Sequence, residues 1–459
     1  MTAIREAWKP GAALGLVAAL LVMRLPLSFV LFLALPWVMV LGGCLRRTGL
    51  RSRPLEVLLA WCFVASFASV VLLHPSSVLS TGNNAAIMTA VIGYTLVIFR
   101  SEHPGLAARN ALQGLYIGAV CVWLMGIGEM VTGIKLLPIL YPGANTIGYV
   151  DSSRFMVSAT YPNINDFCVV MTMLFIAVLA RMWFNPARGA RRWRRWILLL
   201  TSTAMVIIMG SRGALMGCIA GLGLLAILNI RRQYPAALGW RAVIYGGGAA
   251  VVGLFALSQT HYIQDNSTLI RGRILRGAMA MLADSPSNSL LGYGSLADYQ
   301  SYAKAAFGPV LMDPHNLLLE MWLRYGVVAL LLFVVVWLWV LVRGFLPRRP
   351  MIDWQTAFGL TIVVLLPVIG IVPSSMLRYH VTWVYLAAAC LLTAEGIRRR
   401  SAGEPGVASV ATPAVIADDL GDRHDDQTDH DTAEDGDQRR ADHAAEPAGA
   451  RSGRAGARD

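Results

Sequence analysis

The sequence has 459 residues, of which 56% are hydrophobic and 14% are charged. A soluble protein carries about 25% charged residues, so the composition excludes an ordinary soluble enzyme. The formal net charge of +12 conceals two parts of opposite sign. Residues 1–400 contain 33 basic and 13 acidic residues, a balance of +20, whereas residues 401–459 contain 6 arginines and 14 acidic residues, a balance of −8. The basic part indicates lipid headgroups or anionic lipid-linked substrates rather than nucleic acid, because no basic cluster belongs to a soluble domain.

Apolar runs of about 18–20 residues recur along the first 400 positions, and each can cross a hydrocarbon core of about 30 Å. The pattern predicts an all-α fold, a polytopic transmembrane helix bundle of about 12 spans. We expect one domain over residues 1–400 and a disordered acidic cytoplasmic tail over residues 401–459, which nearly lack large apolar side chains. The predicted spans are 11–23, 27–44, 55–73, 81–99, 107–129, 160–182, 196–210, 212–229, 242–258, 316–342, 355–372 and 380–397.

Arginines cluster at alternate joints between these spans. The positive-inside rule places those joints, both termini and the tail in the cytoplasm. The long hydrophilic stretch at about 259–315 is then an extracytoplasmic loop, which we expect to contain short helices. Arginines on the outer side have no topological reason to be there, and these exceptions are Arg154, Arg212, Arg271, Arg273, Arg276 and Arg378.

Arg212 lies in a hinge with almost no loop between two predicted spans. An arginine at the membrane interface costs a few kcal/mol, about 2.5–3.5 kcal/mol at a helix centre, and therefore usually has a partner or a function. The Arg212 side chain could simply extend to the lipid headgroups on the outer side of the membrane. A functional role has an equally plain basis, because a guanidinium matches the geometry of phosphate with paired donors.

Two short polar segments precede predicted spans on the outer side. Asn163 can cap the span that follows it, and Asp166 lies slightly deeper, where it could pair with an outward arginine. His315 ends the long loop, and a neutral imidazole there could accept a proton from a sugar hydroxyl as a general base. The alternative is that His315 is an interfacial histidine without a catalytic role. We interpret His380 in the same way.

The residues after His315 have structural explanations of their own. Asn316 can cap the next helix. Glu320 and Arg324 are four residues apart, so they share a helix face and can form a salt bridge that needs no catalytic role.

The six cysteines lie in apolar runs without CxxC spacing, and no Walker loop, HExxH helix or acidic metal pair is present. We therefore expect no cofactor, no nucleotide and no essential metal.

Several of these segments together resemble the O-antigen ligase and polymerase superfamily of bacterial membrane proteins. The hinge 211–215, the loop segments 271–275 and 284–294, and the segment 315–320 with Gly326 are similar to that superfamily's motifs, in order and spacing. Arg154 with residues 161–163 resembles its upstream arginine and Pro-Asn element. The loop also departs from the pattern, with Leu275 where an aromatic residue is common and Arg324 where an acidic residue is common.

The resemblance implies a metal-independent, inverting glycosyltransferase that takes a saccharide from an undecaprenyl-pyrophosphate carrier. Carried over, Arg212 and Arg271 would bind the pyrophosphate, with Arg154 a third and Arg273 an alternative to Arg271. His315 would be the catalytic base, supported by Asn316, Glu320, Asn163 and Asp166. The implied partners are an acceptor glycan or glycolipid and the lipid bilayer, together with flippase and chain-length proteins.

Ligases and polymerases share these motifs, so the sequence leaves the acceptor open. A transporter or flippase for lipid-linked saccharides is an alternative of a different class. Such proteins usually show repeated halves with broken helices at the midplane, and no clear repeat is present here. A non-catalytic assembly factor with the same fold is a third possibility. The location expected for the enzyme is the bacterial cytoplasmic membrane, with the active site on its outer face.

Overall fold

In the computed structural model the helices and the turns between them are described over most of the first 400 positions. Within these residues the secondary structure is helical, with no strand. Arg154, Arg378 and the tail beyond residue 402 lie outside them, as does the predicted span at 242–258. The described residues are 10–42, 45, 50–73, 78–140, 157–161, 163–233, 266–293, 314–347, 352–373, 375–377 and 380–402.

The predicted spans in the described part of the chain all fall on helices. In chain order these helices are α1 (Pro10–Met23), α2 (Pro26–Leu41), α3 (Arg53–Ala68, continued by a π-helical turn Ser69–Leu73), α4 (Val78–Arg100), α5 (Pro104–Thr132), α6 (Leu136–Leu140), α7 (Ile164–Phe184), α8 (Gly189–Ile208), α9 (Arg212–Gln233), α10 (Asn266–Asp284), α11 (Pro286–Leu291), α12 (Leu317–Trp339, continued by a π-helical turn Val340–Phe345), α13 (Trp354–Ile369) and α14 (Val381–Ser401).

Five of these helices are long and apolar enough to cross a membrane: α5, α7, α9, α12 with its π-helical turn, and α14. Helices α1, α2 and α13 are apolar but shorter. The all-helical membrane fold is therefore confirmed, while the number of about 12 spans stays a prediction. Helices α10 and α11 lie within the stretch that was predicted to be one long loop.

Local sequence explains where the principal helices begin. The Asn163 side chain accepts a hydrogen bond from the Asn165 N–H at 2.8 Å and caps α7. Asn316 caps α12 by accepting from the N–H groups of Leu318 at 2.9 Å and Leu319 at 3.2 Å. Such caps satisfy backbone donors that a helix leaves open at its start. The capping roles predicted for Asn163 and Asn316 are thus confirmed.

Helices α7, α9, α12 and α14 begin at the same end of the bundle, which we call the site end. Ser211, just before α9, donates from its hydroxyl to the Asn165 side chain of α7 at 3.3 Å. The segment before α14 is held to α12, because the Glu320 carboxylate accepts from the Met376 N–H at 2.9 Å and from the Leu377 N–H at 3.2 Å.

The same four helices finish together at the opposite end, where their last turns or the residues just beyond carry arginines. Arg232 of α9 donates to the Trp183 carbonyl of α7 at 3.4 Å. Arg400 of α14 donates to the Arg343 carbonyl, which follows α12, at 3.1 Å. The four helices therefore run parallel. Their positive N-terminal ends lie at the site end, and arginines complement their negative C-terminal ends.

Helix α12 has a break at Gly326, and the surrounding chain supplies the missing hydrogen bonds. Gly326 has φ 80° and ψ 171°, a conformation that is essentially confined to glycine. The break frees two carbonyls. That of Leu323 accepts from the Tyr293 N–H at 2.7 Å, and that of Tyr325 accepts from the Trp61 indole N–H at 3.0 Å. Because lipid offers no hydrogen bonds, such replacement is required wherever backbone is irregular at membrane depth.

The end of α11 packs directly into this break. Gly292 has φ 79° and ψ 174°, and a β-carbon there would lie 2.4 Å from the Arg324 carbonyl group. A β-carbon on Gly326 would lie 1.7 Å from the Leu290 carbonyl oxygen. The Trp322 indole donates to the Ser289 carbonyl at 3.0 Å. The loop and α12 thus meet through two glycines at backbone contact.

We predict that Gly326→Ala displaces α11 and lowers the thermal midpoint of unfolding in detergent. The substitution forces a non-glycine residue into a conformation that costs about 1–3 kcal/mol, and it adds an overlap with Leu290. Gly223→Ala is the matched control, because a β-carbon at this position of α9 meets no atom within 4 Å. Equal midpoints for the two variants would contradict the close contact at Gly326.

Candidate functional site

The candidate base stands at the start of α12 in a constrained conformation. His315 is half-buried and has a left-handed backbone, with φ 47°. Pro314 before it is buried, and Asn316 after it is tied to the first turn of α12. The imidazole is therefore attached at a defined point of the site end, immediately before the first turn of α12.

Arg212 is the first residue of α9 and is half-buried. The turn before it is short, because α8 ends at Ile208 and the Ser211 carbonyl accepts from the Leu215 N–H at 3.0 Å. The predicted hinge between two helices is confirmed. Since the N-terminus of a helix attracts anions, Arg212 adds a full positive charge where the α9 backbone is already electropositive.

One short segment after α13 brings Arg212 and His315 to the same part of the site end. The Gly370 carbonyl accepts from the Leu317 N–H at 3.1 Å, two residues after His315. Val372 lies against Gly213, such that a β-carbon on that glycine would be 2.7 Å from the valine side chain. The two predicted site residues thus each lie within two positions of a residue that contacts the segment 370–372.

Helix α10 carries the loop arginines, and its packing separates them. Ala278, Met281 and Leu282 form a small buried cluster with α12 residues Leu319 and Leu323. Ile274 is buried on the same helical stripe, and Arg271, three residues earlier, is half-buried. In contrast, Arg273 and Arg276 are exposed. Of the three arginines, Arg271 continues the face of α10 that packs on α12, the helix that begins beside His315.

The segment before α7 is positioned by a buried glutamate that the sequence did not single out. Glu129 accepts hydrogen bonds from the N–H groups of Ser158 at 2.9 Å, Ala159 at 3.0 Å and Leu136 at 3.0 Å. It is 1% exposed. These contacts hold residues 157–161 beside the start of α7, where Asp166 is also buried. Arg154, predicted as a third pyrophosphate ligand, lies outside the described residues.

Glu320 and Arg324 form the predicted salt bridge, at 3.0 Å, and both side chains are buried. The carboxylate also accepts hydrogen bonds from the Ser375 hydroxyl and from the N–H groups of Met376 and Leu377. A carboxylate has about four acceptor positions, so Glu320 is fully engaged. Its role in this geometry is to fasten the segment before α14 to α12.

Two further residues lie at the site end: His380, which the sequence analysis treated as an interfacial histidine, and Arg24, which it did not single out. His380 is buried, and its ring stacks on Phe32 with centroids 5.4 Å apart and an angle of 4° between planes. Phe29 also lies beside the His380 ring, with the ring centroids 5.6 Å apart. Arg24 lies over the Tyr161 ring, 5.5 Å from its centroid. Arg24 directly follows the predicted span 11–23, and this position between two predicted spans was the signal in the sequence.

The helices and this polar end define a multi-pass, all-helical membrane protein with a candidate site at one end of the bundle. Residues 196–334 match a family model described as O-antigen ligase. The resemblance found in the sequence motifs is therefore confirmed, and the chain carries an O-antigen ligase-like domain of polysaccharide biosynthesis. The matched region contains Arg212, Arg271 and His315. A comparison with curated proteins found no match.

The matched family supports a membrane glycosyltransferase-like enzyme that processes lipid-linked saccharides. The matched region begins within α8, at residue 196, and ends within α12, at residue 334. Helices α7 and α14, the buried Glu129 and the residues Arg24 and His380 lie outside the match. The site end is therefore built from the matched region together with parts of the chain on both sides of it.

We predict that Glu320→Gln destabilises the protein more than Arg324→Met does. Removing one partner of a buried ion pair costs about 3–5 kcal/mol, and Glu320→Gln also disturbs three other hydrogen bonds. The double variant should recover part of the loss, because it leaves no unpaired guanidinium. Thermal midpoints in detergent measure the three differences. A larger loss for Arg324→Met would show that Glu320 does not organise this region.

Proposed function

We propose that this protein transfers a saccharide from an undecaprenyl-pyrophosphate carrier to an acceptor glycan or glycolipid, with inversion and without a metal. The observation that carries the proposal is that Gly213, next to Arg212, and Leu317, two residues after His315, both contact the segment 370–372. The cationic Arg212 is suited to binding the pyrophosphate leaving group, and His315 is suited to accepting a proton from the acceptor hydroxyl. The match of residues 196–334 to the O-antigen ligase family supports the same chemistry.

The electrostatics of the site end suit a pyrophosphate leaving group. As the bond from the sugar to the carrier breaks, negative charge grows on the pyrophosphate oxygens, and positioned cations stabilise that charge. Arg212 provides a guanidinium at the start of α9, and the parallel starts of α7, α9, α12 and α14 add partial positive charge. These groups do the work for which other glycosyltransferases use a metal ion.

In the proposed reaction His315 takes the proton from an acceptor hydroxyl. The oxygen then attacks the anomeric carbon from the face opposite the pyrophosphate, the new glycosidic bond forms, and the carbon–oxygen bond to the pyrophosphate breaks. The electron pair of that bond leaves with undecaprenyl pyrophosphate, so the anomeric configuration inverts. Arg212, Arg271 and Arg154 hold the leaving group, and the contacts of Asn316 and Glu320 keep α12 in place.

Helix packing favours Arg271 over Arg273 as the loop ligand. Arg271 is half-buried on the stripe of α10 that faces α12, whereas Arg273 is exposed on another face. A pyrophosphate held beside His315 would be reached from the α12 side of α10. The loop arginine would then bind the donor only while α10 stays packed on Leu319 and Leu323.

An enzyme fits this arrangement better than a transporter does. A transporter binds its substrate near the membrane midplane between broken helices, whereas Arg212, His315 and Asn163 lie at helix starts. We propose that the site end faces outward and the opposite, arginine-rich end faces the cytoplasm of a bacterium. A reporter that is active only in the cytoplasm should then be active when fused after residue 402.

The acceptor distinguishes a ligase from a polymerase, and both would use the donor chemistry described above. The arginine-rich, lysine-poor composition is typical of a GC-rich organism, and some GC-rich bacteria have no lipopolysaccharide. In such an organism the acceptor would be another glycan, which favours the polymerase. Reconstitution with a lipid-pyrophosphate saccharide separates the two, because a polymerase lengthens the glycan and a ligase moves it to a new acceptor.

We predict that His315→Ala lowers glycan transfer by about 10²–10⁴-fold, the usual contribution of a general base. His103→Ala is the matched control, because His103 precedes α5 and its side chain makes no capping hydrogen bond. Transfer is measured with purified proteins in lipid vesicles, with the chromatographic profile as a check on folding. Undiminished transfer by a well-folded His315→Ala protein would remove the assigned base.

We predict that Arg271→Gln weakens donor binding by about 10- to 100-fold, the value of a hydrogen bond between charged groups. Arg273→Gln should change it by less than about twofold, because an exposed charge is screened by solvent. Binding of undecaprenyl pyrophosphate to protein in nanodiscs measures both. The opposite order would assign the pyrophosphate to Arg273.

A further inference from the structure

Residues 157–161, just before α7, form a buried turn with a strained backbone. Each of these five residues is at most 2% exposed. The Ser158 carbonyl accepts a hydrogen bond from the Tyr161 N–H at 2.9 Å, and Ala159 has a left-handed φ of 50°. Such a conformation costs a residue other than glycine about 1–3 kcal/mol and persists only where the surroundings hold it. The turn therefore needs a partner in the fold that fixes its backbone.

The carboxylate of Glu129 is that partner. Its Oε2 accepts hydrogen bonds from two consecutive backbone N–H groups, those of Ser158 at 2.9 Å and Ala159 at 3.0 Å. Consecutive N–H groups in a turn form a concave site that suits an anion. The other oxygen, Oε1, accepts from the Leu136 N–H at 3.0 Å. A neutral amide has only one oxygen, so in place of Glu129 it would lose its bond to Leu136 or its bonds to the turn.

The segment that Glu129 holds is tied to the residues just before Arg212 at two points. The Val157 N–H contacts the sulfur of Met209 at 3.4 Å. Farther along the segment, in the first turn of α7, the Asn165 side chain accepts from the Ser211 hydroxyl at 3.3 Å. Met209 is three positions and Ser211 one position before Arg212, and both are buried. The approach to Arg212 is thus fastened to the residues around the start of α7.

The turn between α8 and α9 is irregular, so contacts from outside it matter for its position. Gly210 has a left-handed φ of 66°. The Ser211 N–H reaches the Val206 carbonyl at 3.4 Å, which is long beside the usual 2.9–3.0 Å. We therefore expect the direction in which the Arg212 side chain leaves α9 to depend on the contacts with residues 157–165.

We propose that Glu129 is a positioning residue for the pyrophosphate site, because it fixes the turn at residues 157–161 and, through Met209 and Ser211, the place of Arg212. This role rests on the proposed transfer reaction, in which Arg212 holds the leaving group. Glu129 is 1% exposed, so it acts through the backbone and does not contact the substrate. Its contribution is to hold the cation where charge develops on the leaving group, since small displacements of such groups cost much of their effect.

The test measures binding of undecaprenyl pyrophosphate to the full chain in nanodiscs for the unaltered protein, Glu129→Gln, Arg212→Gln and the double variant. We expect each single change to weaken binding by about tenfold or more, the value of a hydrogen bond to a charged group. In the double variant, Glu129→Gln should add less than about twofold to the loss caused by Arg212→Gln, because its effect passes through the guanidinium that has been removed. Losses that multiply would show that Glu129 acts elsewhere and would overturn the proposal.

Glu395→Gln is the matched control for a loss of stability alone. Glu395 is also a buried carboxylate, and it pairs with Arg109 at 3.5 Å and with Arg399 at the opposite end of the bundle. Its replacement should lower the thermal midpoint of unfolding and leave carrier binding unchanged. If Glu395→Gln weakened binding as much as Glu129→Gln does, the loss would follow from stability and the positioning role would be refuted.

A second variant covers the case in which Glu129→Gln fails to fold. Met209→Leu combined with Ser211→Ala leaves Glu129 in place, removes both contacts with the segment before Arg212 and changes the buried volume little. Carrier binding should weaken by about two- to tenfold, the value of one ordinary hydrogen bond. Unchanged binding in this well-folded variant would contradict the proposed connection to Arg212.

The same proteins separate a failure of this inference from a failure of the proposed reaction. If Arg212→Gln binds the carrier as tightly as the unaltered protein, Arg212 does not hold the pyrophosphate, and the proposed reaction fails together with the role of Glu129. If Arg212→Gln weakens binding and Glu129→Gln does not, the donor site stands and only the role of Glu129 is refuted. The expected result is a loss in both single variants and little further loss in the double variant.

Discussion

The buried carboxylate of Glu320 is the interaction on which the site end depends. It joins α12, which begins two residues after His315, to the segment that leads into α14, and it neutralises Arg324 in the same contact. A charge buried within a membrane protein is expensive unless it is paired and hydrogen-bonded. Glu320 meets both conditions with four donors. The positions of His315 and His380 relative to each other therefore follow from one side chain.

Parallel helices give the bundle its electrical asymmetry. Because α7, α9, α12 and α14 start at one end, their dipoles add there to the charges of Arg24 and Arg212. Each helix start is equivalent to about half a positive charge. At the opposite end arginines lie beside the helix C-termini, where a positive charge is favourable. The positive charge gathered at the site end suits the anionic substrate that we propose.

The glycine contact connects the loop to the bundle through direct backbone packing. Lipid tails are as apolar as the side chains, so helices in a membrane associate through close packing and hydrogen bonds. Gly292 and Gly326 allow the backbones of α11 and α12 to touch, and Tyr293 and Trp61 satisfy the carbonyls freed by the break. Helix α10, which carries Arg271, is held in place by this contact and by the cluster with Leu323.

The sequence by itself determined the helical membrane class, the hinge at Arg212, the caps at Asn163 and Asn316 and the salt bridge of Glu320. These features are local: they depend on hydrophobic run length, on caps, or on residues four apart on one helix. The order of the motifs also identified the O-antigen ligase-like region, because that order is read directly from the sequence.

Only the tertiary structure decided which distant groups meet. The packing of α10 decides that Arg271 lies on the face toward α12 and that Arg273 does not. The amphipathic pattern of α10 is weak, so the sequence left Arg271 and Arg273 as alternatives. Arg24 and His380 are separated by more than 350 positions in the chain, and no local pattern predicts that they both lie at the site end. Helix packing decides this, because the contacts between distant helices form only when the whole bundle is assembled.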